Sequence, residues 1–178
     1  MASQAEMAEV GDIRIAAYVH DGFISADSGY APTLRELGAD GHGEVLVATG
    51  SGTRDPAERI VGTIMLQPWP HAGEVVAGPE EAEIRALAVR PEAQGQGVGR
   101  MLLRHLLRRA TELGIRHLVL CSETGMRVAQ RMYQQEGFVR LPERDWTPAP
   151  GTRLLVYGLR LNGPNPRGPD LDYRGGHP

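Results

Sequence analysis

The spacing of apolar and polar residues predicts four helices. Helical spacing is present over residues 11–23, 32–38 and 125–136, and it is clearest over residues 97–113. In that segment the apolar side chains lie on one helical face and arginines lie on another. The predicted apolar stripe comprises Leu102, Leu103, Leu106, Leu107, Ala110 and Leu113. Gly114 and Gly137 are expected to end the last two helices.

Shorter apolar and β-branched runs predict strands over residues 44–49, 59–66, 82–89, 117–122 and 152–161, with another in the FVRL segment. The first two are expected to form a hairpin, and residues 142–151 are expected to form a loop. The run HLVLCS is apolar almost throughout, as in a central strand. The order strand, glycine loop, helix, strand, helix favours an α/β fold with at least one parallel strand pair and a mixed sheet.

Composition favours a single domain of ordinary size. Residues 1–161 carry the predicted elements, whereas residues 162–178 are rich in Pro, Gly and polar residues and are expected to be a disordered tail.

A net charge of −3 gives no indication of a nucleic-acid or membrane partner. No apolar run approaches the roughly 20 residues that span a bilayer. The single cysteine, Cys121, cannot form an intramolecular disulfide, so we expect a cytoplasmic protein.

Several kinds of catalytic chemistry are disfavoured by the residue types. All 19 basic residues are arginine, which excludes a lysine Schiff base or a Walker-type lysine within this chain. The six histidines lack metal-ligand spacing, so we expect no metal site. Cys121 lies within an apolar run, where a small buried thiol is the more common situation than a nucleophile.

The segment QGQGVGR precedes the most regular helix and holds three glycines in five positions. The first N–H groups of a helix have no intrahelical partner, and a glycine-rich approach lets a phosphate reach them closely. The segment is therefore either an anion cradle, to which Arg100 adds positive charge, or only a tight connection. It lacks the Walker spacing. It also departs from the dinucleotide fingerprint, because Arg100 replaces the third glycine and RPEAQ separates the strand from the loop, although Glu123 follows the next strand.

The longer segment AEIRALAVRPEAQGQGVGRMLL resembles the first signature of the GNAT superfamily of acyl-CoA-dependent N-acyltransferases, with Gln94, Gly97 and Gly99 at its matching positions. About forty residues later, Ala129, Tyr133, Gly137 and Phe138 resemble the second signature. The resemblance covers roughly residues 45–161. Met126 stands where the family usually has asparagine, and the family's first strand is hard to find before the first helix.

The resemblance implies a mixed, mostly antiparallel sheet with a splayed parallel strand pair and flanking helices. It also implies that acetyl-CoA binds where residues 82–89 and 117–122 separate. The residues expected to bind this co-substrate are Leu87, Ala88 and Val89 for the pantetheine arm, and Gln94, Gly95, Gln96, Gly97, Val98, Gly99 and Arg100 for the diphosphate. A backbone N–H near Leu87 is expected to stabilise the oxyanion.

Acyl transfer to an amine requires a base, because an alkyl ammonium has a pKa of roughly 10.4. Glu83, at the start of a strand that borders the site, is the candidate base, matching a glutamate used by some family members; the alternative is a solvated charge beside Glu80 and Glu81. Tyr133 is the candidate acid for the departing thiolate; the alternative is a tyrosine that only packs in the core.

The acceptor is expected to be a primary amine on a small molecule or a peptide. It would enter between residues 20–30 and 142–151, where Tyr30, Trp69 and Trp146 either line its path or only anchor the packing. A sensor that binds acyl-CoA without turnover is the second hypothesis, and a dinucleotide enzyme the third. The oligomeric state stays open, although homodimers are frequent in the family.

Overall fold

The structure is a computed structural model that describes residues 1–25, 27–50 and 59–161 of the 178-residue chain. The helices are α1 (Met7–His20), α2 (Ala31–Glu36), α3 (Val98–Glu112) and α4 (Arg127–Gln135). The strands are β1 (Glu44–Gly50), β2 (Arg59–Pro68), β3 (Glu81–Val89), β4 (His117–Glu123), β5 (Val139–Arg140), β6 (Trp146–Ala149) and β7 (Thr152–Arg160). The tail predicted over residues 162–178 lies outside the described residues.

The strands form one sheet in the order β1-β2-β3-β4-β7-β5, and β6 pairs with β7. Neighbouring strands are antiparallel except β3 and β4, which run parallel. The predicted mixed, mostly antiparallel α/β fold is therefore confirmed. β1 and β2 pair antiparallel, as the predicted hairpin requires. The connection between them lies outside the described residues.

The two faces of the sheet are covered by different helices. On one face, the buried leucines of α3 and the ring of Tyr133 on α4 pack against Leu118 and Leu120 of β4. On the other face, α1 packs its buried apolar residues against β1, β2 and β3. In the predicted apolar stripe of α3, Leu107 is partly buried and the other members up to Ala110 are fully buried. Leu113 lies just after the helix and is 45% exposed, because the chain turns away from the sheet there.

Two local features differ from the sequence predictions, and a third agrees with the difficulty of finding the family's first strand in the sequence. Helix α1 begins and ends earlier than residues 11–23. The segment predicted as a loop over residues 142–151 contains β6, a short strand whose Pro148 obscures its strand character. Within the described residues no strand precedes α1. The chain instead begins with a 3₁₀ turn at Gln4–Glu6, and the N–H of Ala2 donates to the carbonyl of Val45 at 2.8 Å. No described helix is long and apolar enough to cross a membrane.

Candidate active site

The parallel strands β3 and β4 pair over only four residues and then separate. Their register runs from Glu81 opposite His117 to Ile84 opposite Leu120. Beyond that point β3 continues along β2, and β4 continues along β7 as far as Glu123. One edge of β3 therefore lacks a strand partner from Arg85 to Val89, and the sheet opens into a wedge.

A backbone irregularity marks the point of separation. Ala86 has φ of 49°, in the left-handed region that residues other than glycine rarely adopt. The register of β3 against β2 shifts in the same place, since Arg85 lies opposite Met65 whereas Ala88 lies opposite Thr63. Such a bulge bends a strand and disrupts its ladder. It lets β3 turn away from β4 while it keeps its pairing with β2.

The wedge is the centre of a large cleft of about 1520 Å³. The cleft is bordered by α1 and the segment after it, by β3 and the glycine loop, by the end of β4, by α4 and by β6. It passes from one face of the sheet to the other through the gap between β3 and β4. This continuity allows two reactants to meet from opposite faces.

The glycine loop opens directly onto this cleft. Gly95 and Gly97 have φ of 74° and 83°, and no atom lies within 4 Å of the position where a Cβ would be built on either of them. Helix α3 begins at Val98, and its first N–H with a backbone acceptor is that of Met101, which donates to the carbonyl of Gly97 at 3.0 Å. The N–H groups of Val98, Gly99 and Arg100 precede that bond and lack intrahelical acceptors. The loop therefore fits a diphosphate.

Most of the residues predicted to bind the co-substrate lie together at this cleft. Leu87, Ala88 and Val89 line its β3 edge, and the glycine loop lines its entrance. The side chain of Gln94 links the glycine loop to its surroundings. Its amide donates to the carbonyl of Val89 at 3.3 Å and lies 3.4 Å from the Asp21 carboxylate. Gln96 is the exception. It does not line the cleft, and its amide donates to the carbonyl of Glu92 at 3.1 Å.

Glu83 lines the cleft from the α1 face of the sheet. It lies opposite Val119 in the β3–β4 register, and Val119 packs with Val75 and Val76 on that face. Glu83 is only 6% exposed. Its Oε2 accepts the N–H of Gly73 at 2.9 Å and lies 3.7 Å from the Nε of Arg85. Burial raises the pKa of Glu83 above its usual range, against the opposing effects of Arg85 and the Gly73 N–H.

Tyr133 lines the same cleft from the opposite face. It projects from α4, is 7% exposed, and packs against the rings of Phe138 and Tyr157 at centroid distances of 5.9 and 6.5 Å. Burial raises the pKa of its hydroxyl, which keeps the group protonated at neutral pH. The raised pKa makes this phenol a weaker acid than an exposed tyrosine, but it keeps a proton and a hydrogen-bond donor beside the cleft.

The half of the cleft on the α1 face has an aromatic lining. Tyr30 and Trp146 line it as the sequence suggested, whereas Trp69 does not. The sequence analysis did not identify Tyr18 and Phe23, which contact each other edge to face at 6.2 Å and also line this half. Both lie in the segment predicted as a helix over residues 11–23, and the apolar pattern of that segment gave no sign that they face a cavity.

Polar residues of the strands β3 and β4 that line the cleft were also missed as site residues. Arg85 lies two positions after Glu83, and Cys121 and Glu123 alternate with buried residues at the end of β4. The strand period of two could have indicated that these residues share one face. Burial raises the pKa of the Cys121 thiol to about 11, so the sulfur stays protonated and is a poor nucleophile at neutral pH. The described residues contain no cluster of three or more side chains suited to holding a metal ion.

Comparison with known proteins agrees with this geometry. The sequence profile of the GNAT acetyltransferase family matches residues 16–138. An uncharacterised N-acetyltransferase of Schizosaccharomyces pombe is 29% identical over 116 residues, which are 65% of this chain and 63% of that protein. Mycothiol acetyltransferase of Cellulomonas flavigena is 32% identical over 97 residues, which are 51% of this chain and 28% of that enzyme. The matches thus span less than two thirds of the length of either curated relative.

Solved structures resemble the whole fold. The structure of yncA from Salmonella typhimurium with its cofactor acetyl-CoA has a TM-score of 0.64 at 22% identity, and the match covers 96% of this chain and 95% of that one. PaiA N-acetyltransferase from Thermoplasma acidophilum in complex with coenzyme A also has a TM-score of 0.64, at 14% identity, covering 89% and 95%. At these identities the likeness shows the fold. Together with the family profile, the splayed strand pair and the glycine loop, it establishes that this chain belongs to the GNAT acetyltransferase family.

Proposed function

We propose that residues 1–161 form an N-acetyltransferase domain that transfers the acetyl group of acetyl-CoA to a primary amine on a small molecule or a peptide. The observation that carries this proposal is the placement of Glu83 and Tyr133. They enter one cleft from opposite faces of the sheet, at the gap beside the glycine loop. The names of the relatives, an N-acetyltransferase and mycothiol acetyltransferase, support the same class of reaction.

The residues of the glycine loop and the free edge of β3 would hold the co-substrate. The unpaired N–H groups of Val98, Gly99 and Arg100 carry the positive end of the α3 dipole and suit a diphosphate. The free edge of β3 from Arg85 to Val89 presents backbone donors and acceptors for the amide groups of a pantetheine arm. Acetyl-CoA supplies the activated acyl group, and the chain supplies orientation and proton transfer.

Glu83 is the proposed base. An acceptor amine arrives as an ammonium, and its nitrogen becomes nucleophilic only after it loses a proton. The buried Glu83 carboxylate, whose pKa is raised, is a stronger base than an exposed glutamate. It accepts this proton directly or through one water. The amine nitrogen then forms the new C–N bond with the thioester carbon.

Tyr133 is the proposed acid. When the C–S bond breaks, the bonding electron pair stays on sulfur as a thiolate, and the Tyr133 hydroxyl supplies the proton that forms the free thiol. Both protons lost by the nitrogen pass to solvent by way of Glu83, and Tyr133 regains a proton from solvent, so that one proton is released for each amide formed. Because the two residues lie on opposite faces, the amine and the thiol can occupy separate halves of the cleft.

Titration calorimetry with acetyl-CoA, combined with a free-thiol assay over a panel of amines, tests this proposal. We expect binding of acetyl-CoA and thiol release with at least one of four acceptor classes: aminoglycosides, amino acids, polyamines and peptide N-termini. Binding without thiol release across the panel would favour the non-catalytic sensor. Absence of binding by the folded protein, or binding of NAD(H) instead, would refute the proposal.

A further inference from the structure

Helix α4 presents a polar stripe toward the glycine loop. Arg127, Arg131 and Gln135 follow one another at intervals of four residues and so share one helical face. Gln135 accepts a hydrogen bond from the guanidinium of Arg100, which lies in the first turn of α3. This contact orients the stripe toward the entrance of α3, and all four of these residues line the cleft.

The positive charge on this stripe is largely uncompensated. Arg100 lies 3.5 Å from Glu136, and Arg104 shares that same carboxylate at 2.9 Å. By contrast, Arg127 and Arg131 are exposed and make no ion pair within residues 1–25, 27–50 and 59–161. Two free guanidinium groups therefore stand beside a loop that already suits a diphosphate.

We propose that Arg127 and Arg131 bind the 3′-phosphate of the ribose of coenzyme A. This inference rests on the proposed function, because it concerns the same ligand. Coenzyme A carries a phosphomonoester in addition to its diphosphate, and the proposed function assigns the backbone N–H groups of the glycine loop to the diphosphate. A phosphomonoester has close to two negative charges at neutral pH, and guanidinium groups pair with phosphate oxygens in bidentate fashion. Two arginines one helical turn apart match such a group.

The proposal makes the two arginines determinants of specificity. Ligands that share the diphosphate and the pantetheine arm but lack the 3′-phosphate would use every other contact and lose this one. The chain would thus distinguish coenzyme A from 3′-dephospho-coenzyme A by charge, at a position remote from the reacting thioester. Substitution of the arginines would change affinity for the co-substrate and leave the chemical step intact.

Calorimetric titration of the whole chain with coenzyme A and with 3′-dephospho-coenzyme A tests the assignment. We expect the wild-type protein to bind coenzyme A about 10- to 100-fold more tightly than the dephospho form, the range for charge-assisted hydrogen bonds. In the Arg127→Gln/Arg131→Gln variant the affinity for coenzyme A should fall to that for the dephospho form, whose own affinity should not change. The Arg108→Gln/Arg116→Gln variant removes the same charge outside the cleft and should keep the wild-type preference.

The possible outcomes separate the two proposals. Equal wild-type affinities for both ligands, or equal weakening of both in the Arg127/Arg131 variant, would overturn the 3′-phosphate assignment and leave the proposed function standing. If the folded wild-type protein binds neither ligand, the proposed function itself is wrong. Circular dichroism of each variant establishes that it is folded before titration.

Discussion

Glu81 and Glu83 lie two positions apart on the same face of β3, yet their surroundings differ sharply. Glu81 lies where β3 is still paired with β4, and its carboxylate accepts hydrogen bonds from Arg144 at 2.9 and 3.1 Å and from the N–H of Ala77 at 2.7 Å, with His117 also at 2.7 Å. Burial alone would raise the pKa of Glu81, but these partners outweigh it and lower the pKa to about 2. Glu83 lies opposite Val119 near the end of this pairing, just before the strands separate, and it has one backbone donor and a raised pKa.

The difference shows what separates a structural carboxylate from a candidate base. Both side chains are largely shielded from solvent, and burial raises the pKa of each. The number of donors then separates them, because each donor stabilises the charged form and lowers the affinity of the carboxylate for a proton. At the closed end of the strand pair the carboxylate cross-links β3, β4 and the segment before β6. At the open end it keeps its affinity for a proton and faces the cleft.

Substitution of Glu83, the proposed base, should have the largest effect. In Glu83→Gln we expect kcat/KM for acetyl transfer at pH 7 to fall by about 10³-fold, within the range for general base catalysis, with unchanged affinity for acetyl-CoA. The deficit should shrink as the pH approaches roughly 10, where the acceptor amine loses its proton unaided. Thiol release measured against pH checks this. Glu74→Gln, which removes an exposed carboxylate outside the cleft, is the control, and full activity of Glu83→Gln would exclude the base role.

Substitution of Tyr133, the proposed acid, should have the next largest effect. In Tyr133→Phe the ring packing is preserved and the proton donor is lost, so we expect kcat to fall by about 10²-fold with little change in acetyl-CoA affinity. Steady-state kinetics and calorimetry measure the two quantities separately. Tyr157→Phe is the matched control, since that ring packs against Tyr133 but does not line the cleft. Wild-type turnover by Tyr133→Phe would reduce the residue to a packing role.

Substitution of Glu81 should lower the stability of the fold rather than the catalytic rate. Because the pKa of Glu81 is lowered from 4.5 to about 2, its contribution is fully present above pH 4.5 and is lost as the pH falls toward 2. We expect Glu81→Gln to lower the free energy of unfolding at pH 7 by about 2–3 kcal/mol. Urea unfolding at pH 7 and pH 3 checks this, and the difference between the two proteins should be smaller at pH 3. Glu83→Gln, which removes a carboxylate that burial disfavours, should not be destabilised at pH 7; a loss there equal to that of Glu81→Gln would contradict the distinction.

The smallest effect on activity is expected when the hydrogen bond from the Gly73 N–H to Glu83 is weakened. A Cβ on Gly73 would lie 2.7 Å from Oε2 of Glu83, so Gly73→Ala should displace the carboxylate and weaken the N–H bond. That bond lowers the pKa of Glu83, and its loss should move the acid limb of kcat/KM to higher pH, with an activity loss of about 3-fold at pH 7. Gly78→Ala serves as the control, because no atom lies within 4 Å of the position of its Cβ. An unchanged pH profile in Gly73→Ala would show that the donor does not tune the base.

The sequence by itself predicted most of the helices and strands and the glycine loop at the entrance of α3. The leucine spacing of α3, the glycines before it and the apolar run of β4 are local patterns, and each predicts its own structure because side-chain period and backbone freedom are properties of neighbouring residues. The two signature segments also placed Glu83 and Tyr133 near one site. Strand β6 was not predicted, because a short strand that contains a proline shows little of the sequence pattern typical of strands.

Only the tertiary structure decided where Glu83 and Tyr133 lie relative to the cleft and why the proton affinity of Glu83 differs from that of Glu81. The four-residue extent of the β3–β4 pairing, the bulge at Ala86 and the opposite faces of Glu83 and Tyr133 all depend on register between strands. The distinct proton affinities of Glu81 and Glu83 depend on donors such as Arg144, 63 residues away from Glu81 in the chain. A charge is stabilised by whatever lies within a few ångströms of it, and packing brings those groups together irrespective of their distance along the sequence.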